Sequence, residues 1–225
     1  MFKASFVLPS YNSAFWLAHA IESCQKQSYI NTEIVVVDDG STDSTPLLMK
    51  FLSDKDKRIV SLRNEKNMGQ SFSRNRGNDA ATGDIILVLD ADDIAYPDRA
   101  KVTVEKMKKA DFVHASCDYI DALGNKLGEH HADVFNRERS EKLNLNFMIH
   151  STCAYTKELA TRIRYRAGEI SKLYMDDWAF QTEAVYSGAK IDFIPKIVGG
   201  YRQLSTSITQ DPTSTFYRND ARVTE

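Results

Sequence analysis

Between Asp84 and Asp93 the chain reads DIILVLDADD, an apolar run from Ile85 to Leu89 delivered straight to Asp90, Asp92 and Asp93. Apolar side chains on successive positions of a short run mark a strand buried on both faces, which requires a parallel sheet with helices above and below it. Three ionised carboxylates at the tip of that strand repel one another unless something offsets their charge. The fold must therefore bury the run and open at its end.

The rest of the first hundred residues supplies the partners. ASFVLPS, TEIVVVDDG and RIVSLRN read as further strands, and SAFWLAHAIESCQKQSY, STDSTPLLMKFLSD and GQSFSRNRGNDAAT as the helices between them. Ser, Thr and Asp ahead of the second helix, with Pro46 in its first turn, mark where it starts. Alternation in this order predicts an α/β fold with a single, mostly parallel central sheet flanked by helices. After about Pro97 the order loosens: DRAKVTVEKMKKA reads as a helix, DFVHASCDYI as a strand, DALGNKLG as a turn, and Glu129 to Arg139 as polar and irregular. MDDWAFQTEAVYSG then reads as a helix starting on acidic residues, and AKIDFIPKIVGGYRQ as one or two strands. No repeat or low-complexity linker breaks the chain, so one domain over 1–225 is expected, regular over 1–99 and less regular over 100–225.

Open parallel sheets bind ligands beyond the carboxyl ends of their strands. Those ends read LPSYN, VVDDGS, RNEKNMG and LDADD, all polar or turn-forming, and all on one edge.

Composition removes several function classes. Lys plus Arg total 29 against 31 Asp plus Glu, so no positive field exists to gather nucleic acid or anionic lipid. No apolar run approaches the roughly 20 residues that cross a bilayer, and the N-terminus is too weakly apolar for a secretory signal. Cys24, Cys117 and Cys153 are odd in number and lack metal-type spacing, which predicts reduced thiols and a cytoplasmic chain.

Carboxylate oxygens suit Mg2+ or Mn2+, and Mg2+ is commonly held by one or two carboxylates together with substrate phosphates. In an extended segment Asp90 and Asp92 fall on one side and Ala91 on the other, an Asp-x-Asp clamp. The other reading is that Asp92 or Asp93 caps the helix near Pro97. No Gly-x-Gly-x-x-Gly and no Gly-x-x-x-x-Gly-Lys-Ser/Thr is present, so a phosphate would need the metal and arginine. Arg74 and Arg76 precede the acidic strand and can serve, or can be solvated helix residues. Asp176 and Asp177 open a helix, where acids are also favoured by the dipole alone.

Taken together, FVLPSYN, IVVVDDGSTDST, NMGQSFSRNRGNDAATGDIILVLDADD and MDDW resemble the family 2 glycosyltransferases, whose nucleotide-sugar-binding fold is called GT-A. The likeness covers roughly residues 4–99, then 175–180, and YRQLSTSIT at 201–209. It implies an inverting transferase that moves a sugar from a nucleotide-diphosphate sugar, a UDP-sugar, to a hydroxyl on a glycan or lipid-linked glycan. Residues 1–99 would bind the nucleotide sugar and 100–225 the acceptor. By the same resemblance Pro9 and Tyr11 line the nucleobase pocket and Asp39 bonds the base or ribose. Arg74 lies near the base or diphosphate, Asp90 contacts the ribose or the metal and with Ala91 meets the nucleotide sugar, Asp92 coordinates Mg2+ or Mn2+, and Asp177 is the catalytic base beside an orienting Asp176. Trp178 packs under the acceptor sugar or in the core.

One departure stands out. Many relatives carry a histidine after the YR pair that reaches the metal or diphosphate, and Leu204 occupies that position here. Arg202, a serine in STSIT, or His150 would then be the substitutes. Relatives acting on membrane lipids often continue into hydrophobic helices, whereas this sequence runs to Glu225 through a polar stretch, which leaves three readings open: a soluble transferase, a peripherally docked one, or a piece of a longer chain. Two rivals remain: a sugar nucleotidyltransferase, which would carry a glycine-rich basic loop after the first strand, and a nucleotide- or glycan-binding module without catalysis.

Overall fold

The computed structural model describes residues 1–134, 148–166 and 176–204. The strands are β1 (Ala4–Ser10), β2 (Thr32–Asp38), β3 (Ile59–Arg63), β4 (Ile85–Val88), β5 (Ile94–Ala95), β6 (Phe112–Ile120), β7 (Lys126–His130), β8 (Ala154–Thr156) and β9 (Ile191–Arg202). The helices are α1 (Ala14–Gln25), α2 (Thr45–Lys55), α3 (Gln70–Ala80), α4 (Arg99–Met107), α5 (Lys157–Arg162) and α6 (Asp176–Tyr186).

The strands form a single sheet in the order β3-β2-β1-β4-β8-β6-β9-β5, with β7 paired to β6. The first four strands are mutually parallel. Because β8 is antiparallel to both β4 and β6, and β9 is parallel to β6, six strands share one direction and β5, β7 and β8 oppose it. The expected mostly parallel α/β sheet is what the chain adopts. Placing β4 beside β1 rather than β3 creates a switch point between their carboxyl ends, where such sheets open a crevice.

Alternation along β4 explains its unbroken apolar run. Ile85 and Leu87 join the core beneath α1, α2 and α4, while Ile86 and Val88 join the core shared with α5 and α6. Both faces are covered, so no position can be polar. On the second face α3 lies close to β1: a Cβ on Gly77 would stand 2.5 Å from Val7 Cγ1.

The second half holds more sheet than its sequence suggests. Residues 126–130, read as the end of a turn and the start of an irregular stretch, form β7 and close a hairpin on β6. The strands β5 and β8 are two and three residues long, too short for any periodicity to register. AKIDFIPKIVGGYRQ becomes one long strand, β9, whose pairing jumps from Ile194 to Ile197. Pro195 lies in the skipped step, and a residue without an N–H cannot serve a ladder. All three cysteines are free and buried, and among the described residues no helix is long and apolar enough to cross a membrane.

Candidate active site

Past Val88 the chain leaves the sheet. Asp90 N–H donates to Ser151 Oγ at 3.1 Å, and Asp93 N–H donates back to the Asp90 carbonyl, closing a turn over Asp90–Asp93. The turn replaces the extended Asp-x-Asp clamp expected from alternation. Asp93 is buried, its Oδ1 accepting the Arg202 backbone N–H at 2.8 Å. The helix-capping reading fails as well, since the first donors of α4 go to the Tyr96 carbonyl and to Gln27 Oε1. Ala91 lies in the core cluster beneath the sheet, so only its backbone can face a ligand.

Arg74 ties the turn to the helix that begins at Asp176. It is buried, its Nη2 donating to Asp90 Oδ1 at 2.8 Å and its Nη1 to Asp176 Oδ2 at 3.1 Å. Burial works against the guanidinium charge, but Asp90 and Asp176 outweigh it and hold its pKa above the ordinary value. Ser71, one turn earlier on α3, adds a hydroxyl donor to Asp176 at 3.0 Å. The solvated alternative for Arg74 is therefore overturned: it is a buried bridge between the carboxylate that follows β4 and the one that opens α6. Arg76 instead donates to the Arg63 carbonyl and Asn64 Oδ1 at the end of β3.

Three acids near this bridge have no ion-pair partner among the described residues, and one of them, Asp93, is raised well above its ordinary value by burial and by the charges of Asp92 and Asp90. Burial, with the charge of Asp90 beside it, pushes Asp92 up to about 6. Burial likewise raises Asp177 to about 6, with Arg74 opposing and Asp176 adding. Asp177 is half-buried, and its Oδ1 accepts from the Trp178 N–H at 2.7 Å. Groups poised near neutrality in a cleft are candidates for proton transfer or cation binding.

The residues expected to meet the nucleoside stand at the ends of β1 and β2. Pro9 is buried in β1, whereas Tyr11, just past it, is 48% exposed. Asp39 follows β2 and its N–H donates to the Ser10 carbonyl, so the two strand ends are laced together. Its carboxylate accepts from Asn64 Nδ2, Met68 N–H and Gly69 N–H, which leaves little of it uncommitted. Gly40, at φ +75°, lets this loop pass the backbone of Lys66 where a Cβ would stand 2.5 Å away.

Residues 5–164 match the family model described as Glycosyl transferase family 2. The chain belongs to glycosyltransferase family 2. It is 42% identical over 106 residues to the succinoglycan biosynthesis protein ExoO of Rhizobium meliloti, covering 47% of this chain and 30% of that one. It is 29% identical over 180 residues to the glycosyltransferase GlyG of Streptococcus pneumoniae, covering 80% and 52%. An uncharacterized glycosyltransferase of Haemophilus influenzae is 35% identical over 125 residues, covering 55% and 50%. The chain thus spans about half or less of these curated relatives. Among solved structures, S. aureus TarS 1-349 in complex with UDP-GlcNAc shares the fold at TM-score 0.70 and 20% identity, over 96% of this chain and 64% of that one. Mannosyltransferase PcManGT from Pyrobaculum calidifontis, in complex with GDP-Man and Mn2+, does so at 0.68 and 19%, over 89% and 56%. The GT-A fold is thereby established.

Within this family 2 fold, two of the substitutes considered for a histidine at the Leu204 position, His150 and Arg202, are engaged by protein groups. Both ring nitrogens of His150 are used, Nε2 with Tyr165 Oη at 2.8 Å and Nδ1 with Gln181 Nε2 at 3.1 Å, and burial pushes its pKa well below the usual value. It is a core histidine. Arg202 is buried and donates to three backbone carbonyls. The serines of STSIT lie outside the described residues. Sequence reasoning missed Ser71 and Ser151; Ser71 stands one turn before Arg74 on the same helix face, a spacing that could have flagged it.

Among the described residues no three His, Cys, Asp or Glu side chains form a metal-binding group. The donor set nonetheless fits a divalent cation of the Mg2+ or Mn2+ kind: Asp92 supplies a hard oxygen whose charge burial leaves uncompensated, and such cations take their remaining ligands from water and substrate phosphate.

Proposed function

We propose that this chain transfers a sugar from a nucleoside-diphosphate sugar to an acceptor hydroxyl with inversion at the anomeric carbon. The observation that carries the reading is the placement of Asp92 and Asp177, neither in a direct ion pair among the described residues, next to the two acids joined by the Asp90–Arg74–Asp176 bridge. Asp177, ionised, accepts the proton of the acceptor hydroxyl. The freed oxygen forms its bond to the anomeric carbon, the bond from that carbon to the diphosphate oxygen breaks, and the electron pair leaves with the nucleoside diphosphate. A base so placed contributes about 10²- to 10⁴-fold. Asp92, with Asp90 beside it, would hold Mg2+ or Mn2+, which when bound supplies positive charge to the departing diphosphate. Asp176, fixed by Ser71 and Arg74, orients the start of α6.

Pro9 and Tyr11 would take the nucleobase, with the exposed Tyr11 ring as its stacking face. Asp39 fits a role divided between anchoring the 64–69 loop and meeting the base or ribose with its remaining lone pair. The backbone at Ala91 and the carboxylate of Asp90 would line the donor sugar and ribose. A UDP-sugar donor draws support from the fold shared with TarS bound to UDP-GlcNAc, and a glycan acceptor from the name of the succinoglycan biosynthesis protein ExoO, with a lipid-linked glycan as the other form of acceptor proposed. Residues 1–99 would serve as the donor half and 100–225 as the acceptor half of one domain, working in the cytoplasm or docked on the cytoplasmic face of a membrane.

Calorimetric titration with UDP tests the donor site. The wild type is expected to bind UDP about tenfold more tightly with Mn2+ than without, and Asp92→Asn to lose that gain while metal-free affinity holds. Equal affinities in all four titrations would overturn the assignment of Asp92.

A further inference from the structure

We infer that Arg202 is a positioning residue that holds the Asp90–Asp93 turn from beneath, with Trp16 as the platform that fixes its guanidinium. The inference rests on the proposed function, because the turn matters for donor binding only if Asp92 meets the cation there.

Three N–H groups of the side chain are committed to backbone. Nε donates to the Asp92 carbonyl at 2.6 Å, and Nη1 donates to the carbonyls of Asp121 at 2.8 Å and Ala122 at 2.9 Å. The main chain joins in, the Arg202 N–H donating to Asp93 Oδ1 at 2.8 Å. The guanidinium carbon lies 4.6 Å from the centroid of the Trp16 ring, a stacking distance for arginine on indole. One buried cation thus joins α1, the acidic turn, the turn between β6 and β7, and the end of β9.

The choice of partner atoms matters. Arg202 grips the carbonyl of Asp92 and not its carboxylate, so the acid is placed without being neutralised by a direct ion pair. The charges of Asp90 and Asp92, two positions apart, repel within the turn, and a charged donor fixed on its backbone opposes that. Lysine cannot replace the contact, since a single ammonium lacks the planar fork that reaches two sites and lacks the flat face that stacks. With three of its five N–H donors on backbone carbonyls, the residue is committed first to the turn, a different task from the one its position after Tyr201 suggested.

Calorimetry with UDP and with uridine, each with and without Mn2+, separates the alternatives in wild type, Arg202→Gln, Arg202→Lys and Trp16→Leu. Arg202→Gln is expected to keep metal-free UDP affinity within twofold and to lose about tenfold of the Mn2+-dependent gain. Arg202→Lys should fare no better, and Trp16→Leu, which removes only the platform, should lose about threefold. A loss of UDP affinity equal with and without Mn2+ would make Arg202 a phosphate ligand and overturn the inference. So would a parallel loss for uridine, which signals general damage to the site, a full Mn2+ gain in Arg202→Gln, or rescue by Arg202→Lys. A wild type that binds UDP without any Mn2+ gain removes the assignment of Asp92 and this inference with it. A wild type that fails to bind UDP at all contradicts the proposed function, a result read in a different sample from the variants.

Discussion

At the residue scale the two acids raised to about 6 set what the chain can do and at what pH. Asp177 serves as a base only when ionised, so turnover should climb as pH rises through about 6 and level off above it. A pH–rate profile on saturating donor checks this, and a rate independent of pH between 5 and 8 would contradict it. The same shift has an opposite consequence for stability. Because the folded carboxyl sits above its ordinary value of 3.8, ionising it costs the fold free energy as pH rises from about 3.8 through about 6, and that cost is fully present at neutral pH. The shift corresponds to at most about 3 kcal/mol, and solvent reaching the half-buried group reduces it to about 1–2 kcal/mol. Asp177→Asn should therefore melt higher than the wild type at pH 7.5, with the difference vanishing below pH 4. Glu33 runs the other way: burial opposes its charge, but Lys3, Ser5 and Thr82 pull it down to about 2. Its contribution is present above the unfolded value near 4.5 and fades as pH falls toward about 2.

At the element scale the site depends on how closely α3 approaches β1, because Ser71 and Arg74 ride on that helix. Gly77→Ala would drive a methyl into Val7, a branched and buried side chain with no free rotamer to escape to. A loss of about 1–3 kcal/mol is expected from overpacking, measurable by urea unfolding. Pairing it with Val7→Ala should recover part of that loss, since the two residues touch; strict additivity would show that the clash is absorbed elsewhere. The elements also show what a sequence can and cannot disclose. The strands β1, β2 and β4 were legible because each carries an apolar run covered on both faces, and β3, with Ile59, Val60 and Leu62, because it falls in the same alternation with helices. Strands β5 and β8 were not, since two or three residues carry no period, and β7 was hidden by its polar composition, KLGEH, on an exposed edge. The Asp90–Asp93 turn was misread as extended because its geometry comes from Ser151 and Arg202, 61 and 109 residues away from their partners.

At the scale of the whole molecule, the parallel half and the mixed half meet between β4 and β8, and the bridge from Asp90 through Arg74 to Asp176 spans that junction. The residue types at the site were readable from FVLPSYN, VVVDDGS, LDADD and MDDW; their division of labour was not. Arg74, read in sequence as a diphosphate contact or a solvated cation, and Arg202, read as a substitute phosphate contact, are both buried clasps, a difference that only tertiary packing creates. The central claim is that Asp177 performs chemistry while the acidic turn holds the donor. Single-turnover cleavage of UDP-GlcNAc by wild type and Asp177→Asn, alongside UDP affinity, tests it most directly. The account predicts UDP affinity within twofold and cleavage slowed by at least about 10²-fold in the variant; undiminished cleavage by Asp177→Asn would contradict it.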